Sequence, residues 1–172
     1  MNFEDVPAHA RRSLRPIVDE SFTGLYRWHA RRTLRSVAYV RKATGNNALV
    51  GVTMSTMVGN GVGYIFYAAV IPPLRGRGIG GAILDDALQA LRAKGAREIF
   101  ACARTRNMPA VRLLLSRHFA RTSFPALAFT KGFAEAVRLW VKMVAAPGEK
   151  VYVGEFSGQP ASQLGTTTSR RL

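Results

Sequence analysis

Residues 70–88 read VIPPLRGRGIGGAILDDAL, and the rest of the chain is interpreted outward from them. An apolar strand runs into Pro72-Pro73, and proline cannot donate to a sheet ladder, so the strand ends there. Glycines follow at 76, 78, 80 and 81, and a helical stripe of Ile83, Leu84, Ala87 and Leu88 begins at once. Such a turn exposes successive backbone N–H groups at a helix N-terminus, where the amides and the helix dipole hold a phosphate or pyrophosphate. Glycine suits it because a Cβ would hinder the turn or block the ligand. Arg75 and Arg77 add guanidinium groups, whose geometry matches phosphate. A nucleoside-triphosphate loop would need Gly-Lys-Ser/Thr where residues 80–82 are Gly-Gly-Ala. The dinucleotide fingerprint is met loosely by Gly76, Gly78 and Gly81, with Glu98 about twenty positions on. It belongs after the first strand of a parallel unit, however, whereas here a three-stranded meander comes first.

That meander is SVAYVRKA (36–43), ALVGVTMSTMV (48–58) and VGYIFYAAVI (62–71), separated by the tight turns TGNN and GNG. Ahead of it, residues 6–34 read as two helices. Val6, His9, Ala10, Leu14, Ile17 and Val18 recur at helical spacing, then Phe22, Leu25, Tyr26 and His29. The pattern starts so early that no strand is expected before it. Beyond the glycine turn, the helix over 79–93 stops near Gly95. EIFACA (98–103) is then a strand parallel to its predecessor, as a helical crossover dictates. Residues 108–117 form a short helix with Pro109 in its first turn. SFPALAF (123–129) and VRLWVKMV (137–144) read as two more strands, joined by TKGFAEA. One domain is expected over 1–146. A small, polar tail follows over 147–172, with one short strand, VYVGEF, and a mobile last dozen or so residues.

Composition bounds the function. The 172 residues are 48% apolar and 20% charged, which suits a single packed domain and not a disordered chain. A net charge of +15, from 25 Lys and Arg against 10 Asp and Glu, attracts polyanions. Nucleic-acid binding would rest on that charge alone, since no zinc-finger spacing, basic zipper or RNP motif is present. Cys102, the single cysteine, cannot form an internal disulfide. The N-terminus has no signal-like apolar run and no stretch approaches membrane-spanning length, so a cytoplasmic protein without membrane attachment is expected. Three scattered histidines and one cysteine offer no metal-ligand spacing.

The glycine turn resembles the acyl-CoA-binding motif of the GNAT superfamily of N-acetyltransferases, in which Arg or Gln, two residues, Gly, one residue, then Gly or Ala follow a Val-x-Pro lead-in. Arg75, Gly78 and Gly80 match it, as do Val70 and Pro72, and Asn107 with Ala110 in NMPAVRLLL continues the likeness. The resemblance spans roughly residues 36–145. It implies an α/β (α+β) domain whose mixed, mostly antiparallel sheet is flanked by helices and splayed between its fourth and fifth strands. Acetyl-CoA, the co-substrate, would lie in that split. Backbone groups of Arg75, Gly76, Arg77, Gly78, Ile79 and Gly80 would hold its pyrophosphate, and Ala69, Val70 and Ile71 would pair with the pantetheine arm near Asn107. An N–H there would stabilise the oxyanion. A small-molecule or peptide amine would attack the thioester directly, with proximity supplying much of the rate. VRLWVKMV is the implied strand for pairing two copies into a homodimer.

Two departures mark the catalytic residues. Leu114 stands where many relatives carry a general-acid tyrosine, and His118 replaces a glycine in the same motif. No acidic residue lies on GYIFYAAVI, where many relatives place a glutamate base. The substitutes weighed are Tyr67 on that strand, Glu20 on the N-terminal helices, and His118 as an acid. Tyr64 and Tyr67, three apart, should point to opposite faces. Tyr67 would need its ordinary pKa near 10 lowered to act as a base. A non-catalytic acyl-CoA-binding protein is the alternative reading.

Overall fold

A computed structural model describes residues 1–143 and 149–156. Seven strands form one sheet in the order β1-β2-β3-β4-β5-β7-β6. β1 (Asn2–Asp5) precedes a 3-10 turn (Ala8–Leu14), α1 (Arg15–Ser21) and α2 (Gly24–Ser36). The meander is β2 (Tyr39–Gly45), β3 (Ala48–Gly59) and β4 (Val62–Val70), followed by α3 (Ile79–Ala93). Then come β5 (Glu98–Arg104), α4 (Met108–Leu115), β6 (Ala120–Thr122), α5 (Phe124–Lys131), α6 (Phe133–Met143) and β7 (Glu149–Glu155).

All pairings are antiparallel except β4 with β5, and that parallel pairing covers only Val62–Ile65 against Glu98–Ala101. Beyond Ile65 and Ala101 the two strands part, which is the predicted splay. A bulge in β4 accompanies it: Tyr67 lies opposite Met54 but Ile65 opposite Ser55, so Phe66 is the extra residue. The inserted residue resets the side-chain alternation. Tyr64, opposite Thr56, and Tyr67, opposite Met54, therefore share one face of the sheet. The expectation of opposite faces fails because it assumed an unbroken period of two.

Apolar layers cover both faces. α1 and α2 bury Ile17, Val18, Ala30 and Leu34 against Val40, Val52 and Met54. On the other face the predicted stripe of α3, with Leu84, Ala87, Leu88 and Leu91, packs on Ile65, Ile99 and Ala101. α6 closes a third cluster by placing Ala136, Leu139 and Met143 on Tyr64 and Phe100. Full burial of a side chain such as Leu139 contributes about 1.5–3 kcal/mol.

Three expectations are corrected. A strand does precede the helices. β1 is an edge strand with little apolar content, held by its ladder to β2 and by the ion pairs Glu4–Lys42 and Asp5–Arg41. SFPALAF and the described part of VRLWVKMV, through Met143, lie in helices α5 and α6. Ser123 caps α5 by accepting from the Ala126 N–H, and Pro125 sits in the first turn. In α6 the buried set Ala136, Leu139 and Met143 follows the helical period, while Val137 and Val141 face out. Alternation of Val137, Leu139, Val141 and Met143 imitates a strand, so local pattern alone could not decide. VRLWVKMV thus supplies no strand edge for pairing two copies. Finally, VYVGEF belongs to β7, an interior strand between β5 and β6, so the sheet extends beyond residue 146. The expected mobile end lies outside the described residues.

Candidate active site

The separation of β4 and β5 opens a cavity of about 330 Å³. One wall comes from the bulged stretch Phe66–Ala68 and the other from Cys102–Arg104. The α1–α2 junction covers it with Phe22 and Tyr26, and α4 contributes Leu113 and Leu114. Ile71 N–H donates to Val50 C=O at 3.1 Å, toward β3. Alternation along the strand then turns the peptide groups of Val70 and Ala68 toward the split and those of Ala69 back to β3. The Val70 carbonyl indeed accepts from Arg75 Nε at 3.1 Å.

The glycine turn adjoins the split without lining the cavity: a Cβ at Gly80 would touch Leu113, which does line it. Gly76 and Gly78 have φ of 78° and 79°, the left-handed region, and Gly78 is the N-cap of α3. A Cβ at either would meet nothing within 4 Å, so backbone conformation, and not crowding, calls for glycine there. Gly80 differs: its φ is ordinary and a Cβ would make normal contacts with Leu113 and Val70. Among the described residues, the N–H groups of Gly76, Arg77, Gly78, Ile79 and Gly80 have no backbone acceptor. They are the orphan donors of a helix start, in open space beside the exposed Arg75 and Arg77. Asn107 caps α4 by accepting from the Ala110 N–H at 3.4 Å and lines the split. The turn, the open peptide edge and Asn107 together fit a long ligand with a pyrophosphate at one end.

Tyr67 lines the cavity and its hydroxyl lies 2.7 Å from His29 Nδ1. Burial, then the nearby Glu149 and Tyr26, push its pKa well above the usual phenol value. That shift works against the phenolate that a base would need. Glu20 is exposed and does not line the cavity. His118 is also exposed and outside it, with φ of 61° just past the end of α4. That left-handed position explains the glycine of the related motif: it ends the helix. Leu114 is buried and lines the split, with no proton to give.

Sequence reasoning missed Glu149. It stands at the start of β7, opposite Arg104 in the register with β5, and lines the cavity. Its Oε1 accepts from the Tyr26 hydroxyl at 2.9 Å, and that same oxygen of Tyr26 accepts from Arg104 Nε at 2.8 Å. The Arg104 guanidinium also lies 4.1 Å from the Tyr26 ring centre. Burial raises the Tyr26 pKa, Arg104 opposes the shift and Glu149 adds to it. The available signal was the strand pattern of VYVGEF, which puts a carboxylate at the near end of a sheet strand. Cys102 also lines the split, but burial pushes its thiol up to about 11.

This architecture is that of the GNAT fold, and comparison with known proteins agrees. The profile of the Acetyltransferase (GNAT) family matches residues 4–119, so the chain belongs to that family. No curated protein matches it. Solved structures share the fold at low identity. An acetyltransferase of the GNAT family from Desulfovibrio desulfuricans is 16% identical with a TM-score of 0.69, over 91% of this chain and 99% of that one. A Bacillus subtilis acetyltransferase in complex with CoA is 14% identical with a TM-score of 0.66, over 90% and 97%. A GNAT acetyltransferase from Elizabethkingia anophelis with acetyl-CoA bound has the same identity, TM-score and coverage.

Proposed function

We propose that this protein transfers an acyl group, acetyl by default, from acyl-CoA to a primary amine by direct attack in a ternary complex. The observation that carries the reading is the split between β4 and β5, with Glu149 in its wall and the glycine turn opening α3, the helix whose Leu84 lines it. The turn from Arg75 to Gly80 would hold the coenzyme pyrophosphate. The Val70 and Ala68 peptide groups would take the pantetheine arm, where an N–H can meet the developing oxyanion. The bound coenzyme supplies the activated thioester.

The amine nitrogen bonds to the thioester carbonyl carbon, and the adduct gives its extra proton to the Glu149 carboxylate. The adduct then collapses with cleavage of the C–S bond. A thiol is acidic enough, at about pKa 8.5, for the thiolate to leave without a protein acid. That removes the need for a tyrosine at Leu114. Tyr26 and Arg104 orient Glu149, and Tyr67 positions the acceptor.

A non-catalytic acyl-CoA-binding role is favoured by Leu114 alone. The two readings separate in one experiment. Acetyl-CoA is titrated calorimetrically into the wild type and Gly78→Glu, and an amine panel is then screened for release of free thiol. One-to-one binding that Gly78→Glu loses, followed by amine-dependent thiol release, supports the transferase. Binding without release from any amine class supports the regulatory role, and no binding by folded protein overturns both.

A further inference from the structure

A second cavity, of about 410 Å³, lies among the 3-10 turn, the start of α1 and α2, and shares no lining residue with the split. Five arginines line it: Arg11, Arg12 and Arg15 from the 3-10 turn and the start of α1, and Arg31 and Arg35 from α2. One carboxylate, Asp19, answers them, paired with both Arg31 and Arg15. Arg11 is buried, and its three nitrogens donate to the carbonyls of Val6, Val37 and Ala38. It cannot swing into solvent to relieve the crowding of charge, and a guanidinium has five N–H donors, so two remain. Arg12 and Arg35 are exposed and have no partner among the described residues.

We propose that this cavity is a binding site for a compact phosphoryl-bearing anion, distinct from the glycine turn. A pocket of a few hundred Å³ is the size that takes a small ligand. Convergent guanidinium groups from three segments match phosphate oxygens in paired hydrogen bonds, which ammonium groups would not do. Like charges held this close repel one another, and an anion converts that repulsion into attraction. A single-stranded nucleic acid fits less well, because it calls for aromatic platforms for the bases and no lining residue is aromatic.

The test is calorimetric titration with inorganic pyrophosphate at fixed ionic strength. It uses an Arg75→Ala/Arg77→Ala background, which weakens any pull of the glycine turn. The expected result is saturable one-to-one binding, weakened at least about tenfold when Arg12→Ala and Arg35→Ala are added. The Arg12→Ala/Arg35→Ala pair in an otherwise wild-type chain should bind acetyl-CoA as the wild type does, so failure here is distinct from failure of the transferase reading. Arg12→Lys/Arg35→Lys, which keeps the charge, covers the case in which the alanine pair fails to fold, and should also weaken binding. The proposal is overturned by the absence of saturable pyrophosphate binding. It is equally overturned by binding that the Arg12 and Arg35 substitutions leave unchanged, or by binding confined to single-stranded RNA oligonucleotides.

Discussion

The Tyr26 hydroxyl donates to Glu149 Oε1 at 2.9 Å, joining the second N-terminal helix to the last described strand across the mouth of the β4–β5 split. It sets a carboxylate, oriented by a phenol and by Arg104, beside the place where the thioester would lie. Glu149→Gln should lower kcat about a hundredfold and leave the affinity for acetyl-CoA unchanged. Tyr26→Phe should cost less, because the carboxylate remains. Steady-state thiol release alongside calorimetry checks both, and a kcat for Glu149→Gln within twofold of wild type would remove the base from the mechanism.

Glycines of the turn should separate by conformation. Gly78→Ala forces a side chain into the left-handed region and should destabilise the fold by about 1–2 kcal/mol. Gly80→Ala, with ordinary φ and only normal contacts at its Cβ, should stay within about 0.5 kcal/mol of wild type and still bind coenzyme. Denaturant unfolding of the two variants gives the comparison. Equal losses would show that the left-handed φ of Gly78 does not set the two sites apart.

His118 should be replaceable with profit to stability. It holds φ of 61° in solvent at the end of α4, so His118→Gly removes left-handed strain and should add about 1 kcal/mol. Thiol release should be unaffected. A kcat loss of tenfold or more would reinstate His118 as an acid.

Cys102 should resist alkylation near neutral pH. Burial lifts its thiol from the ordinary value of 9.0 to about 11. The labelling rate of the native protein should therefore climb from pH 9 towards pH 11, where an exposed thiol would already have levelled off. The folded state keeps a proton that the unfolded chain releases above pH 9. Cys102 thus contributes fully below pH 9, and that stability is lost as the pH rises towards 11. A labelling plateau near pH 9 would contradict the half-buried placement.

The geometry of the glycine turn was legible in the chain because it is local. Arg75, Gly76, Gly78 and Gly80 follow one another within a single strand-turn-helix, so spacing and the conformational demands of glycine identify them directly. The α3 stripe and the meander were legible for the same reason: each follows one period over many residues. The four-residue β1 is too short and too polar to show a period. α6 satisfies both the strand and the helix pattern.

What the sequence by itself determined is the glycine turn, the helix it opens and the strands before it, since those depend on neighbouring residues alone. Tertiary structure decided three things. The bulge at Phe66 put Tyr64 and Tyr67 on one face, because a bulge depends on the partner strand. β7 entered the interior of the sheet, because β5 and β6, distant in the chain, offer its two edges a ladder each. And Glu149 met Tyr26 and Arg104, because a carboxylate's role depends on which groups the fold brings within hydrogen-bonding distance, and those lie on three elements far apart in the chain.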